Sequence, residues 1–278
     1  MHDRRSLLTS LALTASLCAL TASTDTWASE RRFAYMTSTD VLSPGDFELE
    51  PWSTLQMGRE DFYFRMDHKV ELEVGVTDWV QSAFYLKMRS TTKDVRTAAG
   101  IDRKIDSKWN GIAWEWKFKL ADAVADPVGF GLYVEPGISP DEGRVEAKVL
   151  LDKRAGDVYF AYNLIGEYEA DFGEPSVTEH KFKIYNVAGL AYFFTPTVAL
   201  GLEVRNATLF DDENGFKTST FFIGPTVSFS QERWWVALNM LPQIASIKSA
   251  EAKEKSDSIQ DLDNHERFSV RILLGYHL

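Results

Sequence analysis

The chain ends on Phe268-Ser-Val-Arg-Ile-Leu-Leu-Gly-Tyr-His-Leu278, in which Phe268, Val270, Ile272, Leu274, Tyr276 and Leu278 alternate with Ser269, Arg271, Gly275 and His277. A β-strand has a side-chain period of 2, so the six apolar groups share one face and the other face is mainly polar. Working back from this strand, the same alternation predicts strands over 47–57, 62–76, 79–90, 109–120, 128–139, 144–151, 157–170, 180–194, 198–209, 216–230, 234–242 and 266–278. Most have at least the ~9 to 11 residues that a tilted strand needs to cross the apolar core of a bilayer.

The connections sort into two kinds. Thr77-Asp78, residues 121–127, residues 152–156, Thr195-Pro196-Thr197 and residues 231–233 fall on one side, and most are short; the long stretches 91–108 and 243–265 fall on the other. An even number of antiparallel strands with short inner turns and longer outer loops is the plan of a transmembrane barrel. The fold class expected is therefore all-β, an antiparallel up-and-down transmembrane β-barrel of about twelve strands.

The two faces say which side meets lipid. Val70, Leu72, Val74 and Val76 share a face in one strand, as do Trp114, Trp116, Phe118 and Leu120 in another and Val198, Leu200, Leu202 and Val204 in a third. The opposite faces carry acidic and basic groups in nearly equal number. About eight strands already make a cylinder that side chains only just fill, so twelve enclose more space than apolar side chains can occupy. A polar, hydrated interior with the apolar face toward lipid is the cheaper arrangement. The candidate lumen-lining residues are Arg65, Asp67, Lys69, Glu71, Glu73, Glu115, Lys117, Lys119, Glu167, Lys183, Glu203, Arg205 and Arg271. Trp79, Tyr192, Phe193, Phe194, Trp234 and Trp235 are expected in the inner aromatic girdle and Trp109 near the outer one.

Residues 1–28 contain Arg4-Arg5, an apolar stretch from Leu7 to Leu20 and Thr26-Trp27-Ala28 before Ser29, and read as a secretory signal peptide. Residues 29–46, ending in Ser43-Pro44-Gly45, are expected as a periplasmic lead-in, and residues 47–278 as the barrel. The single cysteine, Cys18, lies in the signal, so neither disulfides nor thiolate metal sites are available after cleavage. A net charge of −11 leaves no electrostatic footprint for nucleic acid.

The alternating terminal strand resembles the last strand of bacterial outer-membrane barrels, which the assembly machinery reads; Leu278 stands where phenylalanine is commoner. The resemblance implies an outer-membrane location and a contact of Phe268 to Leu278 with that machinery. Residues 70–86, with Val74-Gly-Val-Thr-Asp-Trp79 at their turn, resemble the Gly-hydrophobic-Thr-Asp hairpin of putative-transporter barrels, including the family linked to the meta-pathway of phenol degradation. Residues 188–202 look like a second copy. The resemblance implies a barrel and suggests transport, but the motif is a turn device and carries no substrate residue.

Some outer-membrane barrels are enzymes, so the histidines need weighing. Barrel lipases place a serine two residues after the histidine on one strand face; here Val70 follows His68, Phe182 follows His180 and Arg267 follows His265. Asp263-Asn-His265, with Asp211-Asp212 in another outer loop, matches the Asp-x-His pair of omptin-type proteases, although omptins have ten strands. No zinc-ligand spacing or phosphate loop is present, and no cofactor is expected. Loop 243–265 is rich in both charges and reads as solvated surface able to meet lipid and lipopolysaccharide head groups. The leading expectation is a non-enzymatic channel giving small solutes passive or weakly selective passage, because balanced lumen charges make no ring of one sign. A closed structural or interaction barrel and a surface enzyme are the alternatives.

Overall fold

The structure is a computed structural model that describes residues 31–98, 100–174, 177–211 and 215–278. The expected signal peptide lies outside the described residues, as do Ser29 and Glu30. Twelve strands follow one another: β1 (Phe47–Met57), β2 (Tyr63–Thr77), β3 (Val80–Thr97), β4 (Gly100–Ala121), β5 (Gly129–Ile138), β6 (Glu142–Ala155), β7 (Val158–Glu174), β8 (Val177–Thr195), β9 (Val198–Asp211), β10 (Gly215–Ser230), β11 (Trp234–Lys248) and β12 (Phe268–His277). Each pairs antiparallel with its neighbours in sequence, and β12 returns to β1 to close the barrel. At the seam Leu49 lies opposite Tyr276 and Leu55 opposite Val270.

The apolar face points outward along the strands. Leu72, Trp114, Leu200, Leu202, Ile272, Leu274 and Tyr276 are all exposed, whereas Glu48, Glu71, Glu115 and Glu203 are at most 1% exposed. That inversion of the soluble pattern is what a lipid-facing wall requires. Among the described residues no helix is long and apolar enough to cross a membrane. Where β4 carries Trp109 and Ile112 outside, three residues apart, β3 carries Leu86 and Met88, two apart. A bulge absorbs the extra residue at Gly111, whose φ of +95° is open to glycine, and a Cβ there would collide with the Ile138 carbonyl.

Four local expectations are corrected. Residues 91–108 continue the β3 and β4 ladder in register almost to its tip, with Asp94 opposite Arg103 in ion-pair contact; both faces of this ribbon are solvated, so it lacks the apolar alternation that marks a strand in the wall. Loop 243–265 begins as strand, since β11 runs to Lys248, and continues through a short helix, α1 (Ala250–Lys255), capped by Ser249. Phe193 and Trp235 point inward rather than joining the girdle, because each lies next to a residue, Tyr192 or Trp234, that already takes the lipid side. Most of the described lead-in does not stay outside the barrel: Arg31, Phe33, Ala34, Met36, Thr37, Thr39, Val41 and Leu42 are buried inside it, and residues 43–46 are exposed.

The outward face yields a direct check. Leu72→Arg and Leu202→Arg, on the outward apolar face, should each cost folding stability, ~2 to 4 kcal/mol for a site at the bilayer midplane, while Lys117→Gln, on the inner face, should cost less. Urea unfolding in lipid vesicles measures this, and equal tolerance at the two faces would contradict the orientation.

Candidate functional site: a lumen crossed by the N-terminal segment

The strand pattern places like charges opposite one another near the inner end of the barrel. Glu48 of β1 faces Glu73 of β2, and Glu50 faces Glu71. Like charges in such cross-strand pairs repel, and burial strengthens the repulsion. The N-terminal segment supplies the cation. Arg31 reaches Glu50 at 3.0 Å, Glu73 at 3.3 Å and Glu71 at 3.7 Å, with its guanidinium also over the Trp52 ring.

From there the segment is fastened around the wall by side chains of separate strands. Glu203 of β9 accepts from the Tyr35 amide at 2.8 Å and the Ala34 amide at 3.3 Å. Asn163 of β7 accepts from the Thr37 amide at 2.7 Å and donates to the Thr37 carbonyl at 3.0 Å. Asp152 of β6 accepts from the Thr39 amide at 2.9 Å, its hydroxyl at 2.7 Å and Tyr159 at 2.8 Å. Gln81 of β3 accepts from the Leu42 amide at 2.8 Å. Phe33 stacks on Tyr159, and Phe33 and Met36 press on β8 at Gly189, where any Cβ would overlap them. Backbone groups buried away from water need such partners, and the inward side chains of these four strands provide them.

Above the segment lies a cavity of about 350 Å³, bounded on the outer side by Asn264, His265 and Glu266. Its walls carry eleven Lys and Arg side chains against six Asp and Glu. The expected near-balance of charge does not hold along the axis: the carboxylates concentrate around the segment and the cations around the cavity. Of the sequence-predicted lining residues, Arg65, Asp67, Lys69, Glu167, Lys183, Arg205 and Arg271 line this cavity. Glu71, Glu73 and Glu203 hold the segment instead, Lys119 lies 3.8 Å from Asp40, and Glu115 is bonded to Tyr85. Lys117 is buried on the inner face.

Most of the cavity's charges are paired. Asp67 bridges Arg65 and Arg89, each at 2.7 Å. Glu135 bridges Lys87 and Arg144, each at 2.5 Å, and Glu167 joins Arg144 to Lys183. Sequence reading missed the polar anchors Gln81, Asp152 and Asn163 and the aromatic Trp52. The available signal was the run of carboxylates on β1 and β2, which demands a cation from elsewhere.

The outer loop folds toward the same cavity. Gln243 donates to the Asp261 and Glu266 carbonyls and accepts from the Asp261 amide, and Glu266 pairs with Arg205 at 2.9 Å. His265 is seated edge-on to Phe222. Among the described residues no hydrogen bond joins Asp263 to His265, and the His265 Nε2 is buried without a partner. Asp212 lies outside the described residues.

The closed antiparallel barrel with its apolar exterior defines the class: the fold of outer-membrane β-barrel proteins. It is similar to the crystal structure of the COG4313 outer membrane channel from Pseudomonas putida F1, with a TM-score of 0.58 and 10% identity over 86% of this chain and 97% of that one. It is also similar to the NanC porin, with a TM-score of 0.51 and 10% identity over 83% of this chain and all of that one. Among curated proteins none matches the sequence. The chain belongs to the family described as "Family of unknown function (DUF6662)", whose model matches residues 25–278.

The outer loop carries a pH dependence. Burial pushes the His265 imidazole down to about 4 from an ordinary 6.5; Arg205 and Arg59 act in the same direction, and Glu266 and Asp261 oppose it. A released loop therefore binds the proton more readily than a seated one, so the seat is fully stable above about pH 6.5 and weakens as pH falls toward 4. Hydrogen exchange over residues 256–267, corrected for intrinsic rate, should accelerate across that window in the wild type and not in His265→Phe. Equal pH profiles would remove His265 as the cause.

Proposed function

We propose that this protein is an outer-membrane channel for small solutes whose passage is restricted by its own N-terminal segment. The observation that carries the reading is the polar lumen: a charged cavity lies on one side of a segment that is held by hydrogen bonds, one arginine cluster and apolar packing of Phe33, Ala34 and Met36 against the wall. A barrel needed only as a scaffold has no use for a charged cavity. The fold shared with a solved outer membrane channel and a porin supports the reading in kind. So does the hairpin resemblance to putative-transporter barrels, though the link to the meta-pathway of phenol degradation carries no solute to this chain. In this reading the signal directs export, Phe268 to Leu278 meet the assembly machinery, and the outer ribbon and loop meet lipopolysaccharide. The reading includes no enzymatic role, and among the described residues Asp263 and His265 share no hydrogen bond that would favour the omptin-type alternative.

A second reading is a closed barrel serving structure or interaction, and the segment itself favours it, since residues 31–42 cross the lumen. The two readings differ in what happens when the segment is loosened. Asp152→Leu strands the Thr39 amide and hydroxyl and the Tyr159 hydroxyl, each hydrogen bond to a charged group being worth ~1.5 to 3 kcal/mol. In a planar bilayer the wild type should show small conductance steps, and Asp152→Leu and a deletion of residues 31–42 should show larger ones. Folded barrels of all three forms that never conduct would establish the closed barrel.

A further inference from the structure

Two cations in the cavity lack the close ion pairs that their neighbours make. Among the described residues Lys69 of β2 makes no ion pair; its ammonium lies 4.3 Å from the centroid of the Trp52 ring and 5.1 Å from that of Tyr85. Arg271 of β12 also makes none. Its guanidinium donates to neutral oxygens, the Thr54 hydroxyl at 2.8 Å and the Ala34 carbonyl at 3.3 Å, and covers Tyr35 at 3.7 Å and Trp52 at 5.4 Å. Strand register brings the two together across β1, since Trp52 lies opposite Lys69 and Thr54 opposite Arg271. Both charges fall within 5.4 Å of one indole centroid, so they are at most about 10 Å apart.

The carboxylates nearby are already engaged. Asp67 holds Arg65 and Arg89, Glu135 holds Lys87 and Arg144 in close pairs and attracts Lys69 from farther away, and Glu203 takes the Ala34 and Tyr35 amides and Asn239. Aromatic faces relieve part of the cost of two desolvated cations but do not neutralise them. This pair makes up part of the surplus of cations over carboxylates in the cavity wall.

We propose that Lys69 and Arg271 together bind the carboxylate of a small organic acid inside the outer cavity, over Trp52. Two donors converging on one anion give charge-assisted hydrogen bonds, and the cavity of about 350 Å³ has room for the rest of such a molecule. The proposal gives the channel reading a solute class, organic anions, and rests on that reading for transport but not for binding.

Calorimetric titration of the folded full-length protein in detergent at low salt, with benzoate as probe, tests the site. Benzoate should bind, and benzyl alcohol, of similar shape but neutral, should not. Lys69→Gln and Arg271→Gln should each weaken benzoate binding at least tenfold. Arg271→Lys should retain most of it, and Lys181→Gln, outside the cavity, should leave it unchanged. Absence of benzoate binding, equal binding of benzyl alcohol, or wild-type affinity in both glutamine variants would overturn the site. A wild type that conducts in a bilayer but fails to bind benzoate rejects the site and leaves the channel standing. Benzoate binding that depends on Lys69 and Arg271, in a barrel that never conducts, rejects the channel and leaves the site standing.

Discussion

A ring of twelve strands encloses more space than its own inward side chains can fill. In this barrel the constraint is met from outside the sheet, by the residues that precede β1. Because the filler is polypeptide backbone, it brings amide and carbonyl groups that must be paired, and the inner wall is accordingly built of Glu203, Asn163, Asp152 and Gln81, each bonded to the backbone of the segment. The polarity of the lumen is thus partly structural. A carboxylate that faces inward here need not touch a solute.

The same constraint sorts the charges along the axis. Glu48, Glu50, Glu71 and Glu73 face one another on β1 and β2, where Arg31 comes in among the last three. With the segment occupying that level, the remaining open space lies farther out, where Arg65, Lys87, Arg89 and Arg144 are tied by Asp67 and Glu135. The electrostatic character of any solute path is then set by the outer cavity, because the inner carboxylates are spent on the segment.

The barrel was legible in the sequence because lipid contact imposes a period of 2 on every strand, and Phe268 through Leu278 or Val70 through Val76 show it without interruption. Face assignment followed from the same period and placed all thirteen candidate residues inward. The lead-in was not legible: Arg31-Arg32-Phe33-Ala34-Tyr35-Met36-Thr37 has neither a strand nor a helix period, and its position depends on partners more than a hundred residues away, such as Asn163 and Glu203. Charge counting failed for a related reason, since a total over the inner face contains no information about level. Residues 91–108 were missed as strand because a ribbon solvated on both faces is under no pressure to alternate.

The placement of the segment also bears on the seam. β1 and β12 are the two strands farthest apart in sequence that must meet, and backbone bonds along their register close the wall. The segment touches both sides of that closure from within: Arg31 holds Glu50 of β1, while the Tyr35 hydroxyl meets Ser269 and the Ala34 carbonyl takes Arg271, both of β12. It therefore acts as an internal clamp across the joint. The joint that closes the wall is thus bridged from within by the residues that lead into the first strand.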